Sequence, residues 1–163
     1  MIGALLVVAL LGAEPARRPV TVSAFTGVPF GHYYSCEYLG SCAFPLMFSA
    51  RVNLPLTPTP TGGPPGVTSS FELELGLDVR LVLDRPVTAG LVPLLEPRWT
   101  LQLLPELSAY LKLSVGVGWY PGHEIAALRP DYDLLIGASY QLNKTLALRL
   151  ELGARSIKLG VAL

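Results

Sequence analysis

Residues 71 to 83 read FELELGLDVRLVL. Phe71, Leu73, Leu75, Leu77, Val79, Leu81 and Leu83 take every odd position, and Glu72, Glu74, Asp78 and Arg80 fall between them. Successive side chains of a strand point to opposite faces of the pleat, so a strict period of two predicts a strand with one apolar and one charged face. The pattern alone leaves open whether the apolar face lines a core or meets lipid.

The alternation returns along the chain. LMFSARVNL at 46 to 54 sets Leu46, Phe48, Ala50, Val52 and Leu54 against Met47, Ser49, Arg51 and Asn53. RWTLQLL at 98 to 104 sets Trp99, Leu101 and Leu103 against Arg98, Thr100 and Gln102. LSAYLKLSVGVGW at 107 to 119, YDLLIGASYQL at 132 to 142, TLALRLEL at 145 to 152 and IKLGVAL at 157 to 163 repeat the arrangement. PVTVSAFTGV at 19 to 28 adds a strand whose phase is ambiguous, because Phe25 breaks the pattern. The expectation is eight strands, with no competing helical period. VTAGLVPLLEP at 87 to 97 is a candidate extension of the fourth strand, although Pro93 and Pro97 would interrupt its ladder.

A chain of 163 residues suits one domain. Twelve basic side chains balance twelve acidic ones, so no nucleic-acid partner is implied. Only 15% of residues are charged and 51% are hydrophobic, against about 25% and 45–50% in an average soluble domain. A surface in contact with lipid would account for the missing charge. The apolar run IGALLVVALLGA at 2 to 13 is shorter than the ~20 residues of a spanning helix and fits the core of a secretory signal peptide. The predicted organisation is a signal peptide at 1–16 and one β-barrel domain at 17–163.

Asn143 and Lys144 are expected to form a two-residue hairpin link, and Pro105 marks another tight turn. Longer links at 29 to 45, 84 to 97 and 120 to 131 all fall on the opposite side, as the long outer loops of membrane barrels do. PLTPTPTGGPPGV at 55 to 67 is the exception, a Pro-rich link on the short-turn side.

Ten ionisable residues lie on the polar faces: Arg51, Arg80, Lys112, Arg149 and Lys158 against Glu72, Glu74, Asp78, Asp133 and Glu151. In a narrow barrel they would fill the lumen as ion pairs, because buried charges must be paired. Leu dominates the opposite faces. Phe71, Trp99, Trp119, Tyr120 and Tyr132 gather near strand ends, where a membrane interface favours amphipathic rings. The last strand reaches the C-terminus and can close against the first, removing both edges. These features predict an all-β, closed antiparallel up-and-down transmembrane β-barrel.

In this alternation the chain resembles the small eight-stranded outer-membrane β-barrel proteins of Gram-negative bacteria, over essentially all of 19 to 163. The resemblance implies export to the cell outer membrane, contact with outer-membrane lipid, and recognition of the C-terminal strand IKLGVAL by the barrel assembly machinery. The chain departs from that family in ending on Leu163 instead of an aromatic residue, and in Lys158, where Gly is common.

Candidate chemistry is sparse. Cys36 and Cys42, in HYYSCEYLGSC, can close a loop disulfide in an oxidising compartment. With His32 they supply too few ligands for a metal site. Tyr33, Tyr34 and Tyr38 share that loop and suit membrane-boundary anchoring. His123 and Glu124 invite a catalytic reading, because some eight-stranded outer-membrane barrels are lipid-modifying enzymes, but neighbouring residues in a turn point apart and no Ser is placed beside them. No cofactor motif is present, and the chain reads as a non-enzymatic, non-conducting barrel with an unknown surface partner. The rival is a soluble exported barrel with its faces inverted, leaving Glu72, Asp78, Arg80 and Lys112 open to water and Leu77 and Leu113 buried around an apolar ligand.

Overall fold

The computed structural model describes residues 20–29, 44–56, 68–83, 88–121 and 128–163. They form eight strands: β1 (Thr21–Pro29), β2 (Phe44–Pro55), β3 (Thr68–Leu83), β4 (Thr88–Gln102), β5 (Leu107–Trp119), β6 (Leu128–Gln141), β7 (Ala147–Gly153) and β8 (Ser156–Ala162). Each pairs antiparallel with its neighbour in sequence, and β8 pairs with β1 from Ser156 opposite Pro29 to Ala162 opposite Ser23. Closure leaves no edge strand.

The candidate extension of the fourth strand is present, and two other local features differ from the sequence reading. β4 begins at Thr88 and runs through both prolines, whose rings face outward. Its register with β3 continues through Pro93 and Pro97, whereas the ladder with β5 is interrupted at 92–93 and 96–97, where the missing N–H groups would belong. In β1, Ser23 and Phe25 share the buried face, so Phe25 keeps the alternation. The link between β6 and β7 is wider than two residues. Asn143 Oδ1 organises it by accepting from the backbone N–H groups of Thr145 and Leu146, both at 2.9 Å.

The wall is uneven. β3, β4, β5 and β6 have 16, 15, 13 and 14 residues, whereas β7 and β8 have 7 each and β1 has 9. At ~3.3 Å per residue and a tilt of about 35–45°, each residue adds roughly 2.5 Å of height, so β3 rises about 40 Å and β7 about 17 Å. Both walls start from one rim: Gln141 pairs with Ala147, Ala147 with Ala162, and Val22 exchanges backbone bonds with Leu163 at 3.1 and 2.8 Å. The shortfall lies at the other rim. There the Ala154–Arg155 turn meets β6 at Leu134, through a 3.2 Å backbone bond, well below the start of that strand at Leu128.

Candidate functional site

The strand alternation carries two environments around the barrel. Leu77 and Leu113 are 44% and 46% exposed on the outer face, while Glu74, Asp78 and Lys112 are 0% exposed inside. A soluble barrel with an apolar interior would show the reverse, so its faces are not those of this chain. The inward faces of six strands supply one ionic cluster, to which β1 adds Ser23 as a hydrogen-bond acceptor.

Lys112 sits at its centre. From β5, its Nζ lies 2.8 Å from Glu151 Oε1 on β7, 3.1 Å from Glu74 Oε2 on β3 and 3.4 Å from Glu96 Oε2 on β4. Arg149 of β7 reaches Glu74 at 2.8 Å and Glu151 at 3.1 Å, and donates to Ser23 Oγ of β1 at 2.9 Å. Arg51 of β2 pairs with Asp78 at 2.6 Å and with Glu96. Arg98 pairs with Glu72 and Glu74, and Lys158 lies 3.6 Å from Asp78. Glu74, Asp78, Glu96 and Glu151 thus each face two or three cations. An eight-stranded barrel is only wide enough for side chains to fill it, and buried charges persist only when paired.

Two aromatic rings complete the packing. The guanidinium of Arg149 stands 4.9 Å from the centroid of Phe25 and 5.0 Å from that of Tyr110, and Lys112 Nζ stands 5.7 Å from Phe25. Cations gain from the negative ring face, more so when desolvated. Tyr110 Oη donates to Glu151 at 3.0 Å and accepts from Arg149 at 3.2 Å. Gly137 makes this possible: a Cβ there would run into the Tyr110 ring and hydroxyl.

Eight of the ten ionisable residues singled out from the sequence meet in this cluster: Arg51, Glu72, Glu74, Asp78, Lys112, Arg149, Glu151 and Lys158. Arg80 lies toward the tall rim, pairing with Asp131, 3.6 Å from Asp78 and donating to Tyr120 Oη at 3.2 Å. Asp133 holds the β7–β8 turn, accepting from Ser156 Oγ at 2.9 Å and the Arg155 backbone N–H at 3.1 Å. The sequence reading left Glu96 and Arg98 out of that set: Pro93 and Pro97 left the phase of 87 to 97 open, and Arg98, already on the polar face of 98 to 104, was passed over. Continuing the polar phase back in twos from Thr100 finds both. It also left out Asp131 and treated Phe25 as a break.

Among the boundary aromatics, Phe71 and Trp99 face outward as a cross-strand pair with ring centroids 6.3 Å apart, and Trp119 and Tyr132 face outward as well. Tyr140 joins them at the lower rim, opposite Leu107. Tyr120 is the correction: one residue on from outward Trp119, it bonds to Arg80 and rests against Gly90 and Gly118 of the inner face. Cys36, Cys42, His32, the loop tyrosines, His123 and Glu124 lie outside the described residues, as does the segment at 1–16. Among the described residues, no group of three or more His, Cys, Asp and Glu is placed to hold a metal ion.

No family model and no curated protein matches the chain. Among solved structures it is similar to a de novo designed transmembrane β-barrel, at 15% identity over 90% of this chain and 96% of that one, with a TM-score of 0.55. It is also similar to the outer membrane enzyme PagL, at 10% identity over 88% of this chain and 98% of that one, with a TM-score of 0.51. The likeness is one of fold: eight antiparallel strands closed in sequence order, apolar outside and charged within, as in transmembrane β-barrels.

Proposed function

We propose that the chain is an outer-membrane β-barrel that conducts no solute and acts through the loops on its tall rim. The observation that carries this reading is the occluded lumen, where Arg51, Glu74, Glu96, Lys112 and Glu151 from five strands are at most 1% exposed. Open aqueous channels belong to barrels of about 16 strands. The outward leucines support membrane residence, and the similarity to an outer membrane barrel supports that membrane in particular. Export by the segment at 1–16, recognition of β8 by an assembly machinery and a Cys36–Cys42 disulfide in the first long loop belong to the same proposal.

The test has two parts. In carbonate-washed membranes the protein stays in the outer-membrane fraction and changes gel mobility on boiling; recovery as a soluble periplasmic protein would overturn the reading. Reconstituted in planar bilayers, the wild-type chain gives no unitary conductance, and steady open currents would overturn the non-conducting role.

A further inference from the structure

The low wall of β7 and β8 raises a question that the lumen does not answer. Its outward residues, Leu148, Leu150 and Leu152 on β7 with Ile157, Leu159 and Val161 on β8, are all exposed and apolar. Yet the strands rise only about 17 Å, whereas a transmembrane barrel presents an apolar band about 25 Å tall. The wall of β5 is tall enough, since the twelve residue steps from Leu107 to Trp119 climb about 30 Å.

The interface-type residues follow the drop in the wall. Trp119 stands at the tall rim opposite Leu128. On the next strand the outward aromatic is Tyr132, 55% exposed and four residues further down β6, on the order of 10 Å nearer the membrane centre. The guanidinium of Arg155, in the β7–β8 turn, lies 4.1 Å from the centroid of the Tyr132 ring. A Trp or Tyr with an adjacent Arg is the pairing that anchors at headgroup level, ring in the boundary and cation toward phosphate. Here it sits at the depth where a flat bilayer would place acyl chains.

We propose that the bilayer is locally thinned against the β7–β8 wall, with Arg155 and Tyr132 meeting lipid headgroups at the lowered surface. This rests on the membrane reading above. A stretch too short for the bilayer can be accommodated by thinning, snorkelling or oligomerising, each at modest cost. A second copy is the weaker occupant. Joining two low walls across a two-fold axis along the membrane normal would bring both Arg155 turns to the same depth and set like charges side by side. Phospholipid headgroups instead offer phosphate to the guanidinium.

Single-tryptophan reporters test this in a chain carrying Trp99→Phe and Trp119→Phe, folded into dioleoyl phosphatidylcholine vesicles with and without the chain-brominated analogue. Leu113→Trp on the tall wall and Leu150→Trp on the low wall lose most of their emission to bromine. Ala154→Trp in the turn keeps its emission, red-shifted as at a headgroup. Quenching of Ala154→Trp to the level of Leu150→Trp would overturn the thinning, and protection of Leu150→Trp would mean that protein covers the wall and overturn it too. Leu113→Trp left unquenched would instead defeat membrane placement itself. As a measurement without turn variants, the wild-type barrel resists urea better in dilauroyl than in dioleoyl vesicles; equal or lower resistance in the thinner bilayer would count against the proposal.

Discussion

The two sides of this barrel are held together differently. The tall side, β3 to β6, has continuous ladders such as β3 against β4 from Thr68 to Val82 and β5 against β6 from Leu107 to Trp119. The low side has short ones: β7 pairs with β8 only from Ala147 to Leu152. What the low side lacks in backbone pairing it receives through its side chains. Arg149 and Glu151 of β7 cross the lumen to Glu74 and Lys112, Lys158 of β8 reaches Asp78, and Ser23 of β1 accepts from Arg149. The lesson is that a barrel can trade ladder length for cross-lumen charge pairing, and that the trade makes one side depend on the other.

Glu74 is where that dependence concentrates, so its removal should break the comparison most completely. Glu74→Gln withdraws the anion shared by Lys112, Arg98 and Arg149 and should cost about 3–5 kcal/mol, the usual penalty for stranding a buried partner. Urea unfolding followed by heat-dependent gel mobility reads it. Loss of less than half that amount would mean that the cations find other partners.

Arg149→Met tests the asymmetry itself. We expect a loss of about 3 kcal/mol, and hydrogen exchange should show where it falls. Amides of β7 and β8 should exchange faster while those of β3 and β4 stay protected. Uniform acceleration would mean that the two sides share one stability. Gly137→Ala comes next, with a cost of about 1–3 kcal/mol from overpacking as its methyl displaces the Tyr110 ring. Its effect should shrink when Tyr110 is also replaced by Phe, because the hydroxyl is among the atoms the methyl would meet. The smallest effect belongs to the outer surface. Leu113→Ala should cost about 1–2 kcal/mol in vesicles, the lost transfer from water alone, since lipid tails refill the space and leave no cavity. A cost of about 4–5 kcal/mol, the upper end for buried leucines, would include a cavity term and mean that this face packs against protein.

Much of the architecture was legible because one physical rule, the two-residue period, repeats in strand after strand and needs no tertiary information. It failed at particular residues for particular reasons. Phe25 looked misplaced because an aromatic among polar neighbours reads as a broken phase, yet cations on facing strands can use its ring, and those cations are more than 80 residues away. Pro93 and Pro97 left the extension of the fourth strand open; it forms because outward prolines lose only their bonds to one neighbour and the other ladder can continue. With the phase of 87 to 97 left open, Glu96 was passed over, and Arg98, on the polar face of 98 to 104, was omitted with it. Tyr120 was assigned from its residue type and its place near a strand end, where parity from Trp119 would have turned it inward. The short runs at 145 to 152 and 157 to 163 were legible, but the depth at which the low wall ends was not, because it depends on where the β7–β8 turn falls against β6.

The closing seam gives the cluster one more consequence. Every other pairing joins strands adjacent in the chain and can form hairpin by hairpin, but β1 meets β8 only after the whole chain has been laid down. Ser23 and Phe25 come to Arg149 and Lys112 through that last step, and the Arg149–Ser23 bond spans 126 residues. An unclosed sheet would therefore hold its central cations with part of their surroundings missing, in or beside an apolar medium that penalises them severely. Closure of the seam is thus the step that completes the surroundings of Arg149 and Lys112.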